Sequence, residues 1–262
     1  MSYIAFDADI LEYNGELLTT GSLYAKISYS ASHGTATGPT NVLIGSTVTV
    51  TTTPDTNYSL SYILVNGHAI TGNSFIADDS NITVTAVFDQ AGELTVGNII
   101  WAKTNLAITD NQTGIIQVNN VSANGVNFGT QYYYNQDAMQ RIPSRVQPWR
   151  LPTIAEVQAL VAFIGDMAGT KLKSTSGWKD NGNGTDEYGL RFLPVGIYDT
   201  DSEVSLRGVG ENTQIWTSDK VDLGPHGFMY KYFVLSYMYS DVNYGAVDWW
   251  WGHFSIRLVK DV

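Results

Sequence analysis

Two runs in this chain alternate with a strict period of two: Thr47-Val48-Thr49-Val50-Thr51 and Ile82-Thr83-Val84-Thr85-Ala86-Val87-Phe88. Successive side chains of an extended chain point to opposite faces, so Thr alternating with Val or Ile predicts half-buried strands. Pro54-Asp55-Thr56-Asn57 reads as a turn, and Asn66-Gly67 as a two-residue hairpin connection. These signals predict a small β module over residues 28–90. Upstream, Asn14-Gly15 lies between Tyr3-Ile4-Ala5-Phe6 and Leu17-Leu18, which predicts a hairpin or attachment strand within residues 1–27. Asp89-Gln90-Ala91-Gly92-Glu93 is a short polar link and the expected domain boundary.

Residues 95–262 read as a larger α+β domain with much irregular structure, so the whole chain is expected to be mainly β. Val96 to Ala102 opens it as a strand, Gly125 to Thr130 is a turn, and Leu190 to Pro194 and Gln214 to Thr217 are short strands. Tyr132 to Ile142 suits a helix with Ala138, Met139 and Ile142 on one face. A second helix is better marked. Thr153 caps it, Glu156 completes a capping box, and Ile154, Val157, Leu160, Val161 and Ile164 follow at helical spacing before Gly165. Phe254 to Val259 alternates as a closing strand, in which Arg257 is expected half exposed or paired with a carboxylate. Trp149, Arg150 and Trp178 read as structural.

Between Phe228 and that closing run the composition changes. Tyr230 to His253 holds five tyrosines and three consecutive tryptophans among Ser, Asp, Asn and Gly. Aromatic rings give rigid contact area, and small polar residues give adaptable hydrogen bonds, which is how paratopes are composed. Three adjacent tryptophans cannot all face a core in an extended chain. The expected binding face is Tyr232, Tyr237, Tyr239, Asp241, Asn243, Tyr244, Asp248, Trp249, Trp250 and His253. The competing reading is an aromatic core loop or an oligomer interface.

Other chemistry has little support. The net charge of −11 argues against a nucleic-acid partner. The chain has no cysteine, which removes disulfides, a thiolate nucleophile and Cys-ligated zinc. The four histidines, His33, His68, His226 and His253, are scattered, and no local triad motif accompanies them, so catalysis is not expected. No cofactor is expected either. The loop Asp180 to Glu187 offers oxygen ligands for calcium, though Gly182 and Gly184 occupy ligand positions of an EF-hand pattern; the other reading is an Asn/Gly turn cluster. Met1 to Asp7 shows neither a basic nor an apolar region of a signal peptide, and no run approaches the ~18 apolar residues of a membrane span.

Gly45 to Val50, Thr53-Pro54-Asp55, Tyr58, Val65-Asn66-Gly67 and Thr83 to Phe88 together resemble the bacterial extracellular repeats related to the internalin B-repeat. That resemblance implies a stalk or spacer. A second resemblance rests on Trp149-Arg150-Leu151-Pro152-Thr153 with Glu156, Lys171 to Trp178, Asp180 to Gly189, Leu193 to Gly196, Ile215 to Ser218 and Ser255 to Asp261. This set is similar to the Fibrobacter succinogenes major paralogous domain, a family of C-type-lectin-like fold. The family also serves as the variable protein of diversity-generating retroelements in gut Bacteroidales and their phages, where the diversified residues precede the final strand. The resemblance implies a C-type-lectin-like domain over 95–262 that displays a ligand-binding surface at 230–253. It further implies a phage tail-tip adhesin on a virion tail or extracellular surface, whose partner is a host cell-surface receptor, protein or glycan; a homotrimer would suit a tail fibre. Leu258 departs from the family, which often has cysteine there. The Glu-Pro-Asn and Gln-Pro-Asp sugar motifs of calcium-dependent lectins are absent, as is the cysteine used by the formylglycine-generating enzymes that share the fold. The alternative is a structural cell-surface or pilus-type component whose aromatic run packs in a subunit interface.

Overall fold

Strand outweighs helix in the computed structural model, which describes residues 10–13, 16–19, 24–56, 58–90, 92–109, 112–201, 205–247 and 252–262. The fold is mainly β, with its helices in the C-terminal half. The chain divides into two compact units, Met1–Ala91 and Gly92–Val262. Little of the expected link is free. A strand ends at Gln90 and another begins at Glu93, and Asp89 is buried.

In the first unit, Ile10–Tyr13 pairs with Glu16–Thr19, and Asn14-Gly15 lies outside the described residues. Tyr3 to Phe6, expected to flank that turn, lie outside the described residues. Five strands then build one sheet: β1 (Tyr24–Ser32), β2 (Asn41–Leu43), β3 (Tyr58–Val65), β4 (His68–Ile70) and β5 (Asn81–Gln90), in the order β2-β1-β5-β3-β4. β1 and β5 run parallel and the other pairs antiparallel. Asn66 and Gly67 carry the positive φ values, 49° and 82°, that a two-residue hairpin needs, and Asn66 Oδ1 accepts from the Thr83 backbone N–H at 2.8 Å. Alternation buries Ile82, Val84 and Ala86 of β5, and Ile82 and Val84 pack with Ala25, Ile27, Val48, Val50 and Ile63. The boundary expected between residues 27 and 28 therefore cuts a strand, because β1 starts at Tyr24 and its first half carries Ala25 and Ile27 into the core.

The second unit opens with a hairpin rather than one strand: β6 (Glu93–Val96) turns through Gly97-Asn98 into β7 (Ile99–Ala102). β8 (Gln131–Tyr134) and α1 (Gln136–Arg141) replace the single helix expected from Tyr132. The Asn135 side chain caps α1 by accepting from Ala138 N–H at 2.9 Å, and the three preceding tyrosines stay extended. Ala138, Met139 and Ile142 are buried as expected. α2 (Ile154–Ile164) has the full capping box: Glu156 N–H donates to Thr153 Oγ1, and Thr153 N–H donates to Glu156 Oε2 at 2.7 Å. Arg150 grips the same carboxylate through both Nη atoms, at 3.0 and 2.7 Å, and reaches Asp261. Burial acts to raise the Glu156 pKa, but Arg150 and the Thr153 backbone outweigh it, leaving the carboxyl below its ordinary value.

α3 (Ala168–Leu172) follows, then β9 (Ile197–Asp199) and a three-stranded antiparallel sheet of β10 (Asn212–Asp222), β11 (Phe228–Ser236) and β12 (Asn243–Val247). α2 packs on β10 and β11. β10 extends the short strand expected at Gln214, whereas Leu190 to Pro194 makes only a bridge from Phe192 to Lys173. The closing run holds β13 (Gly252–His253) and β14 (Val259–Asp261). It does not alternate in burial. Gly252 to Val259 are all buried, because β-bridges or hydrogen bonds from Tyr134, Arg150 and Ile215 flank it. Trp216 and Phe254 stack at 4.3 Å in the core, and Trp216 Nε1 donates to Tyr134 O at 2.6 Å. Arg257 is not half exposed, and among the described residues it has no carboxylate within ion-pair distance. It is 1% exposed, lies 4.2 Å over the Phe192 ring, and donates to Asn105 Oδ1, Ala102 O and Leu190 O. Burial lowers its pKa to about 9, with the Asp186 carboxylate opposing. No helix among the described residues is long and apolar enough to cross a membrane.

Candidate ligand-binding site

The aromatic run is not a loop between two strands. Most of it is β11 and β12, and the exposed part runs from Met238 to Asp241 in the turn that joins them, with Asn243 and Tyr244 at the start of β12. Tyr232 sits in β11 opposite Gly245, with its ring over the glycine; a Cβ there would lie 2.5 Å from the ring's far end. The ring also meets Phe254 edge-on at 5.0 Å, so Tyr232 is half-buried against the core. His253 is 4% exposed and pairs with Tyr198 of β9, which removes it from any exposed face. Its predicted role came from proximity in sequence; pairing with β9 turns it inward. Asp248, Trp249 and Trp250 lie outside the described residues, as does Trp251.

The remaining members come together by position. Tyr237, Tyr239 and Asp241 are in the turn, and Asn243 and Tyr244 begin β12. Met238 and Tyr239 are 65% and 55% exposed, and Tyr244 is 41% exposed, so the tip presents sulfur and aromatic surface flanked by Asp241 and Asn243. Val242 is buried and plugs the turn into the domain.

The backbone of this turn is fastened at successive points. Lys173, only 2% exposed, donates from Nζ to Ser236 O at 3.0 Å and to Tyr239 O at 3.1 Å. Its ammonium also lies 5.3 Å from the Trp178 ring centroid. Desolvation lowers its pKa from the ordinary lysine value. Thr170 N–H in α3 donates to Ser240 O at 2.9 Å, and Tyr237 N–H donates to Glu211 O at 2.8 Å. Gly169 and Gly182 allow the backbone contacts: a Cβ on Gly169 would lie 2.6 Å from Asp241 O, and one on Gly182 would lie 2.6 Å from Tyr237 Cβ. Lys179 pairs with Glu211 at 2.7 Å and lies 5.4 Å from the Tyr237 ring centroid.

The loop Asp180 to Glu187 is thus the floor of the turn. Two of its side-chain oxygens accept from backbone donors. Asn183 Oδ1 accepts from Trp178 N–H, and Asp186 Oδ1 accepts from Arg191 N–H. Among the described residues no group of three or more His, Asp or Glu could hold a metal ion. Sequence reasoning missed Lys173, Gly169 and Gly182. A Lys-Leu-Lys segment ordinarily reads as solvated, and the glycines of the loop read as turn formers, although Gly182 has no positive φ and serves close approach instead.

Residues 25–92 match the family model of the divergent InlB B-repeat domain. That span covers β1 through β5, and it supports beginning the repeat at β1 rather than at residue 28. No curated protein and no solved structure matches the chain.

Proposed function

We propose that the protein is a ligand-displaying receptor-binding protein, a phage tail-tip adhesin. In this reading the B-repeat is a spacer, and the second unit is a C-type-lectin-like domain diversified by a retroelement. The observation that carries it is the division of labour in the turn after β11. Its carbonyls and N–H groups are held by Lys173, Thr170 and Glu211, while Met238, Tyr239 and Asp241 are left to solvent. A fixed backbone with exposed side chains loses little entropy on binding and tolerates substitution at the tip. The resemblance of residues 95–262 supplies the C-type-lectin-like and retroelement parts of the reading. The partner is a host surface protein or glycan, the protein acts at a virion tail or extracellular surface, and no catalysis is assigned.

The test is attachment of the purified protein to a panel of Bacteroidales cells. Wild type binds some strains. The Tyr239→Ala, Asp241→Ala, Asp248→Ala variant loses binding while its melting temperature stays within a few degrees. If that variant instead dissociates a stable oligomer, the aromatic run is a subunit interface, and the structural cell-surface or pilus-type reading replaces this one.

A further inference from the structure

A cavity of about 340 Å³ lies in the second unit and shares no lining residue with the turn after β11. Lys103, Arg191 and Arg257 all line it. Three of the chain's fourteen Lys and Arg thus border one hollow in a protein of net charge −11. None of the three has a carboxylate within ion-pair distance among the described residues. The Asp186 carboxylate acts on all three from longer range.

The buried member is the most informative. Arg257 spends Nε on Asn105 Oδ1 and Nη1 on Ala102 O and Leu190 O, and its Nη2 has no hydrogen-bond acceptor among the described residues. Buried guanidinium groups normally have their donors satisfied, and a planar fork with a spare N–H suits a carboxylate. Asn105 is fixed by the same contact: its Oδ1 faces Arg257, which leaves its NH2 as a further donor at the cavity wall. Gln131 donates through Nε2 to Phe128 O at 2.7 Å, leaving its carbonyl oxygen to accept from a hydroxyl. Phe128 and Tyr132 add aromatic surface to the lining.

We propose that this cavity binds a hydroxylated carboxylate of one-ring size, a sugar acid, with its carboxylate toward Arg257 and Asn105 and its hydroxyls toward Gln131. The volume lies at the small end of ligand pockets, which suits one ring and not an oligosaccharide. The site is independent of the display reading, since it uses none of the turn's residues.

The experiment is calorimetric titration of the full-length protein with sodium glucuronate, with glucose and inorganic phosphate as comparison probes at ionic strength fixed by sodium chloride. Glucuronate is expected to bind saturably and glucose not at all. Lys103→Gln, Arg191→Gln should weaken glucuronate at least tenfold. Asn105→Asp, which offers Arg257 a carboxylate from the protein itself, should abolish binding while the melting temperature is maintained. The proposal is overturned if glucuronate does not bind, if it binds equally to both folded variants, or if phosphate binds as tightly, which would mark a hollow for simple anions.

Discussion

Replacing Lys173 with methionine tests whether the turn after β11 is held from beneath. Methionine matches the aliphatic stem, so packing around the side chain is largely kept, and the ammonium is what disappears. Two hydrogen bonds go with it, to Ser236 O and Tyr239 O at 3.0 and 3.1 Å. Hydrogen bonds to a charged group contribute about 1.5–3 kcal/mol each, and carbonyls left without a donor add to the loss. Against this stands the desolvation of a lysine that is only 2% exposed, a cost that methionine avoids. The lowered pKa of Lys173 reports that cost, and since the folded state holds its proton less tightly, the penalty is present at neutral pH and relieved only as pH rises above the lowered value. The net expectation is a loss of about 2 kcal/mol in urea unfolding of the second unit, from roughly 3–6 kcal/mol of lost hydrogen bonding less the recovered desolvation. Hydrogen exchange should quicken at Thr170 N–H, whose acceptor Ser240 O is in the same turn, and stay unchanged in α2. Unaltered stability together with unaltered exchange at Thr170 would refute the claim that Lys173 fixes the turn.

Gly169→Ala should disturb the same turn from the α3 side, because a Cβ 2.6 Å from Asp241 O forces backbone apart; we expect a loss of about 1–3 kcal/mol by urea unfolding, with exchange again faster at Thr170. An isolated 24–92 fragment should give a cooperative β-type melt by circular dichroism. A 28–90 fragment, which deletes buried Ala25 and Ile27 from β1, should be less stable by several kcal/mol or fail to fold. Tyr133 should make a contribution to stability that falls as pH rises past about 10. Buried Tyr133 donates to Val195 O and has its pKa raised by desolvation, so the unfolded chain ionises first, and the stability held below the unfolded value is lost as pH climbs. Tyr133→Phe should make that alkaline decline shallower in pH-resolved melting, and an unchanged slope would contradict the assignment.

What could be read from the sequence was local. The Thr153–Glu156 capping box, the Asn66-Gly67 hairpin and the alternation in Ile82 to Phe88 each rest on residues within a few positions of one another, and each appears where expected. The errors came from partners far away in sequence. Phe254 to Val259 alternates in polarity yet is buried on both sides, because Tyr134, Arg150 and Ile215 bracket it. Arg257 finds backbone carbonyls 67 and 155 residues distant, which no spacing rule reveals. Lys173 reads as a surface residue until Ser236 and Tyr239 are brought over it. Of the candidate face, Tyr232 and His253 were drawn inward by β-pairing with Gly245 and Tyr198, and the strands that leave only a short turn at Tyr237 to Asp241 were not read from the composition. Tyr132 to Tyr134 illustrate a local error: three β-favouring aromatics stay extended, and the helix begins only after the Asn135 cap.

The central claim is that tip side chains vary on a backbone that does not. Sequencing this gene across related isolates measures it directly. The account predicts substitutions concentrated at Tyr237, Tyr239, Asp241, Asn243 and Tyr244, with Gly169, Lys173 and Gly182 unchanged. Substitutions spread evenly along the second unit, or tip residues as constant as Lys173, would contradict it.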